Sequence, residues 1–291
     1  MTTIITALLF ASLAVLVSTV AAGLGAMLLG TARARSPQLS GGGVADAPEP
    51  GLRLRPLLVP GVALACALLM LSVVARTLLV GHAPWSNLHE FSVAFAAALL
   101  GTYLVLARAH RIAGLAPLVA LLAVGLVAFA MSLDDRVDPL VPALQQPLLL
   151  TIHVGSAVVA YAVAGVAFVA AAAEIGQRSA RDRIGVLPSA ATARVVGHRA
   201  VLIAFPILTI AIALGSVWAN LAWRSYWSND PKELAAAATW LVFGAYLHVA
   251  GRRDRWERLA PWLIVLGFAG VLFTYIGAGL FFIGEHSYAA P

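Results

Sequence analysis

The sequence predicts an all-α polytopic membrane protein of about eight transmembrane helices, with both chain termini outside the cytoplasm. Three observations carry that expectation. Of 291 residues, 61% are hydrophobic and only 11% charged. A water-soluble domain of this size cannot hide that much apolar surface, so the solvent must be lipid. The apolar residues collect in eight runs, at about 3–29, 57–81, 91–107, 115–132, 146–173, 200–221, 235–251 and 259–283, each near the ~20 residues that a spanning helix needs. Finally, the basic residues alternate. Fifteen of the nineteen Lys and Arg lie in or beside every second connection, and a positive-inside bias places those connections in the cytoplasm.

That alternation also disposes of a nucleic-acid reading. The net charge of +6 is a topology signal: Arg33, Arg35, Arg53 and Arg55, then Arg108 and Arg111, then the arginines from Arg178 to Arg199, then those from Arg252 to Arg258. The opposite side receives only Arg136, Arg224 and Lys232, with Arg76 inside a helix. One cysteine, Cys66, and no C-x-x-C exclude a thiol oxidoreductase or a c-type cytochrome.

The first run is too long for the h-region of a signal peptide and has no positive residue before it, so it reads as a retained helix spanning about 1–30. Residues 31–56 are a Gly-, Pro- and Ser-rich cytoplasmic linker. From 57 to 291 the connections are short, and seven helices form one membrane domain. In the second run Arg76 is either a snorkelling arginine or a functional one. The turn from His82 to Glu90 follows, with Ser86 or Asn87 as helix cap and Glu90 at the positive end of the dipole. Trp85 in that turn is an interfacial anchor or a ligand contact. Loop 133–145 is acidic and reads as solvated, and 177–199 reads as a surface segment without chemistry of its own.

Topology sorts the seven histidines. His110 and His198 sit among arginines at helix ends, where a structural role suffices. His82 and His89 in the outer turn also lean structural. His153 lies seven residues into its helix, about 10 Å below the outer end at 1.5 Å per residue. His286 follows the last helix, and His248 lies deep in the seventh run, near the inner leaflet. Singly, each is more often a hydrogen-bonded structural imidazole than a ligand. Together, paired imidazoles beside an aromatic stretch suit the axial positions of a haem iron. No carboxylate cluster supports a proton pump.

The aromatic stretch is 215–234, read as an external loop. Asp230, Pro231 and Glu233 form a capping-box-like helix start, and Trp218, Trp223, Tyr226, Trp227 and Trp240 could be no more than an aromatic belt. The order Trp218, Trp223, Tyr226-Trp227, Asp230-Pro231-Lys232-Glu233, Thr239-Trp240, Tyr246-Leu247-His248 resembles the tryptophan-rich WWD signature of the CcsA (ResC) family of cytochrome c biogenesis proteins, the haem-handling subunits of system II. The turn Gly81 to Asn87, the segment Leu150 to His153 and the segment Gly284 to Tyr288 resemble the same family, so the likeness runs from about residue 57 to the end.

That resemblance implies particular roles. His153 and His286 would be external axial ligands to haem b, carried as bound substrate, and His248 would be the transmembrane histidine that receives haem. Trp218, Trp223, Trp227 and Asp230 would form the porphyrin platform. Arg76, Arg224 and Lys232 are the cations available to a propionate. A CcsB (ResB)-type membrane partner and apocytochrome c with its C-x-x-C-H motif would be the protein partners, in a bacterial cytoplasmic membrane. The chain departs from the family pattern at Asn229, where a second Trp is usual, and at 234–238, where Leu and four Ala replace a more aromatic stretch. Two other roles stay open on the same scaffold: a haem exporter that attaches nothing, and a HemX-like regulatory protein that binds no haem.

Overall fold

A computed structural model describes residues 1–34, 55–136, 147–252, 256–282 and 284. Among them the protein is all-α, without strands. The helices are α1 (Thr2–Ala34), α2 (Arg55–Val80), α3 (Leu88–Ala109), α4 (Ala116–Met131), α5 (Pro147–Ala180), α6 (Ala190–Trp223), α7 (Pro231–Val249) and α8 (Trp256–Leu272). A five-residue π turn (Phe273–Gly277) and one last turn, α9 (Ala278–Phe281), extend α8.

Seven helices are long and apolar enough to cross a membrane by length and composition; α7 is not among them. Lys232 and Glu233 in its first turn and His248 in its last dilute a 19-residue helix. Its packing nonetheless carries it through the same layer. Phe243 and Thr239 lie against Gly267 and Gly270 of α8, Trp240 stacks on Phe205 of α6 with ring centroids 5.3 Å apart, and the Tyr246 hydroxyl meets His198 at 3.2 Å. Residue numbers rise along α7 as they fall along both neighbours, so it lies antiparallel between α6 and α8 as an eighth crossing.

Two expected boundaries move. The run from 200 underestimates α6, which begins at Ala190 behind Ser189, whose hydroxyl accepts the Thr192 N–H. Arg194, His198 and Arg199 interrupt the apolar pattern there, but partners on other helices absorb them, so the helix continues. The expected loop 215–234 is likewise mostly helix. Residues 215–223 are the last turns of α6, ended by Arg224 in the left-handed region at φ 63°, and α7 begins at Pro231. Only 224–230 is irregular.

The core runs along α3 and α5. Phe95, Leu99, Leu100 and Tyr103 face a stripe of small residues from Ala160 to Ala173, all buried. Small side chains let backbones approach closely, which matters where lipid supplies no hydrophobic drive between helices. α5 and α6 share the most extensive interface, and α1 packs on α2 and α4. Large apolar residues such as Leu71, Leu78, Ile210 and Leu241 face outward, as a lipid-solvated bundle requires.

One end of the bundle carries the α2–α3 turn and segment 224–230; call it the tryptophan end. The other carries the arginines. At the arginine end α5 and α6 project beyond their apolar runs, and segment 177–199 is less inert than its composition suggests. Glu174 is buried and pairs with Arg178 at 2.5 Å and Arg194 at 3.3 Å, while Glu257 of α8 takes Arg194 at 2.7 Å. The buried Gln177 amide donates to the carbonyls of Ile184 and Pro188 and accepts the Ile184 N–H, pinning the turn.

Candidate functional site

The tryptophan end holds a cavity of about 210 Å³ between α3, α5, α6, α7 and the π turn of α8. On α5 its wall is His153, Ala157 and Tyr161, spaced four apart and so on one helical stripe; the stripe descends about 12 Å from His153 to Tyr161. Gly215, Trp218 and Ala219 of α6 face it, Lys232 and Glu233 of α7 stand at its upper rim with Tyr226 and Trp227, and Trp85 closes the side of the α2–α3 turn.

His153 is held by backbone and ring. Its Nδ1 lies 2.9 Å from the Ala211 carbonyl. A carbonyl only accepts, so Nδ1 carries the proton and Nε2 the lone pair, the tautomer that a metal ligand needs. Trp218 lies parallel to the imidazole, centroids 6.0 Å apart at 14°. Gly215 makes room for the ring: a Cβ there would stand 2.6 Å from Cε1, closer than any carbon contact tolerates. Trp218 is itself buried and braced edge-on by Trp223 at 4.8 Å, with Leu150 behind.

The floor is aromatic. Phe91 stacks on Tyr275 at 5.2 Å, and Tyr161 meets Phe91 at 6.3 Å. The π turn brings Thr274 and Tyr275 to the cavity; such turns inside α-helices often mark functional sites.

The irregular segment explains Asn229. Its φ is +59°, a left-handed conformation that asparagine tolerates and bulky residues resist. Its Oδ1 also accepts the Trp227 indole N–H at 2.9 Å. The residue where a second tryptophan was expected is thus the hinge that aims the first. Asp230 caps α7 through a complete capping box: its Oδ1 takes the Lys232 N–H at 2.8 Å, and Glu233 Oε2 takes the Asp230 N–H at 3.2 Å. Glu233 additionally accepts the Ser228 N–H at 2.8 Å, so it ties the segment to the helix.

The expected site residues divide accordingly. His153, Trp218, Trp227 and Lys232 converge on the cavity. Trp223 stands behind Trp218 and Asp230 beneath the rim. Arg76 is neither snorkelling nor at the cavity: it is buried in an ion pair with Glu90 at 2.8 Å, and Glu90 also accepts from Ser86. Arg224 is exposed, off the cavity wall. His248 is exposed on the outer face of α7 with Leu234 and Leu241, about 26 Å along the helix from Pro231. His286 lies outside the described residues. Gly284 is described, and it packs so closely on Asp230 and Pro231 that no side chain would fit. The remaining histidines are structural: His89 bonds the Ala130 carbonyl at 2.8 Å, and His110 meets Arg199 at 3.0 Å.

Sequence reasoning missed Gly215, Phe91, Tyr161, Thr274 and Tyr275. The four-residue spacing from His153 to Tyr161 was a readable signal; the others depend on which helices pack together. The donor set suits an iron porphyrin: one oriented imidazole, indole and phenyl faces for the ring, and an ammonium at the rim.

Fold and site define an integral membrane protein with one ring-lined cavity built around a backbone-oriented histidine. Comparison with known proteins narrows this. A family model described as cytochrome C assembly protein matches residues 85–286. The chain is 35% identical over 259 residues to a protein named cytochrome c biogenesis protein CcsA from Parasynechococcus marenigrum, covering 78% of this chain and 84% of that one. It is 32% identical over 279 residues to a CcsA of Chlamydomonas reinhardtii, covering 90% of this chain and 77% of the relative. The chain therefore belongs to the CcsA family of cytochrome c assembly proteins, and its role lies in cytochrome c biogenesis.

Proposed function

We propose that this chain is the haem-handling subunit of a membrane cytochrome c synthase, holding haem in the cavity at the tryptophan end and presenting it to C-x-x-C-H apocytochromes for thioether attachment. The observation that carries the reading is His153. Its proton is tied to the Ala211 carbonyl, its ring is backed by Trp218, and the helix opposite is cut back to Gly215 to accommodate it. His153 and His286 would hold the haem iron through their imidazole nitrogens.

Trp218 and Trp227 offer faces to the porphyrin, Trp223 braces Trp218, and Asp230 sets the start of α7 and with it the position of Lys232. Haem supplies the vinyl groups that cysteine thiols add to; the protein binds, orients and excludes water. His248, exposed on a lipid-facing helix, is where an imidazole awaits a partner; in this reading it receives haem together with a CcsB-type subunit. Residues 57–291 form the haem-handling domain, preceded by an N-terminal helix expected at about 1–30, which α1 carries on to Ala34, and by the linker expected at 31–56, whose end α2 takes up from Arg55. The arginine end is cytoplasmic and the cavity faces the outside of a bacterial membrane.

The test is an absorption spectrum of the full chain purified in detergent with haem. A six-coordinate, low-spin spectrum is expected, and His153→Ala with His286→Ala removes it. Wild-type protein without bound haem would instead favour the regulatory role, and normal holocytochrome c in cells lacking the gene would favour export.

A further inference from the structure

The first turn of α3 is anchored on three sides. His89 Nδ1 donates to the Ala130 carbonyl of α4 at 2.8 Å, Glu90 pairs with Arg76 of α2, and Ser92 shares a hydrogen bond with Tyr275 of the π turn. The remaining side carries Asn87, Leu88 and Phe91, which line the cavity together with Trp85 just before them. Successive residues of a helix point about 100° apart. Holding Glu90 on α2 therefore fixes where Phe91 points, and Phe91 stacks on Tyr275 at 5.2 Å.

The Glu90 carboxylate divides its two oxygens. Oε1 accepts from Arg76 Nε at 2.8 Å, and Arg76 Nη2 also donates to the Arg136 carbonyl at 3.3 Å. Oε2 accepts the Ser86 N–H at 2.9 Å and the Ser86 hydroxyl at 2.6 Å. One buried group thus ties α2, the segment after α4 and the neighbour of Trp85 to a single point. A buried ion pair adds little stability over apolar side chains of similar volume, and charges inside a lipid-embedded bundle are costly. Apolar packing would join α2 to α3 at less cost. What it lacks is an oxygen for Ser86.

We infer that Arg76 and Glu90 are a positioning pair for the cavity. Arg76 holds the carboxylate, the carboxylate holds Ser86 and the first turn of α3, and these set Trp85 and Phe91 against the bound ring. The inference rests on the haem-handling reading and adds to it the group that fixes the α3 wall. Arg76, which the sequence offers as a cation for a propionate, acts through Glu90 instead.

The experiment titrates full-chain protein in detergent with haem. It reads affinity and the circular dichroism that bound haem acquires in its own absorption bands from the rings around it. Two double variants remove both charges and differ in the acceptor left to Ser86. Arg76→Met with Glu90→Gln keeps a side-chain oxygen there; Arg76→Met with Glu90→Met does not. The first is expected within about twofold of wild type with the same induced signal, the second about tenfold weaker with an altered one. Ser86→Ala, which removes one of the two bonds, should weaken binding about threefold. Equal affinity and signal in the two double variants overturn the inference. So does a loss that merely follows Tm across the set, which would mark a structural role. Should a double variant fail to fold, Ser86→Ala decides: unchanged affinity and signal overturn the inference. Wild type that binds no haem removes the haem-handling reading itself, and this inference with it.

Discussion

The two ends of the bundle each enclose a cavity of similar size, about 210 Å³ at the tryptophan end and about 190 Å³ at the arginine end, yet they are built on opposite principles. At the arginine end, Glu174, Glu257, Arg178 and Arg194 neutralise one another, and His198 and Tyr246 bond each other. Polar groups there are consumed in joining α5, α6, α7 and α8. At the tryptophan end the joining is done by the buried Arg76–Glu90 pair, off the cavity wall, and by the α7 capping box, whose Glu233 stands at the rim with its carboxylate tied to the Ser228 and Asp230 N–H groups. What faces the cavity is an oriented imidazole, flat rings, and Lys232 near the rim. The lesson concerns placement: an end that spends its charges on itself is a clamp, and one that settles its ion pairs elsewhere has a surface left for a ligand.

Substitutions can break this contrast at either end. The largest effect is expected from Gly215→Val. Its side chain would enter the space of the His153 ring, and haem affinity should fall at least about tenfold in a spectroscopic titration, with the helical circular dichroism retained. Unchanged affinity would mean that His153 tolerates displacement and is no ligand. At the arginine end Glu174→Gln should leave haem affinity unaltered but lower stability by about 2 kcal/mol. That is below the full penalty for breaking a buried pair, because Arg194 is half exposed and water screens it. Denaturant or thermal unfolding in detergent reads the difference, and a parallel loss of haem binding would show the ends to be coupled. The smallest effect belongs to Asn229→Trp. Restoring the family tryptophan forces a bulky residue to φ +59° and removes the Trp227 bond, at about 1–2 kcal/mol. No gain in haem affinity should accompany it; a clear gain would mean that the segment rearranges to use a second indole.

Much of the fold was legible because lipid imposes a plain rule: runs of about 20 apolar residues cross, and arginines stay on one side. The limits of that legibility fall at particular residues. Hydropathy started α6 late because Arg194 and Arg199 read as loop, whereas Glu174, Glu257 and His110 pair them and let the helix begin at Ala190. α7 reads as a weak span by itself, and only its packing between α6 and α8 shows that it crosses. The capping box was readable because its spacing is local. The role of Asn229 was not, since it depends on a backbone angle.

From the chain alone come the membrane class, the alternation of its connections, the capped start of α7, and a motif order sufficient to point to the CcsA family. These depend on composition and on neighbours a few residues apart. Tertiary structure decided which of the named groups meet: it set His153 beside Trp218 and Gly215, locked Arg76 to Glu90, left Arg224 outside, and kept Lys232 at the rim. Residues 85, 153, 215, 232 and 275 come from five different segments of chain, and no local pattern encodes their meeting. Only the close packing of small residues between helices brings them to one cavity.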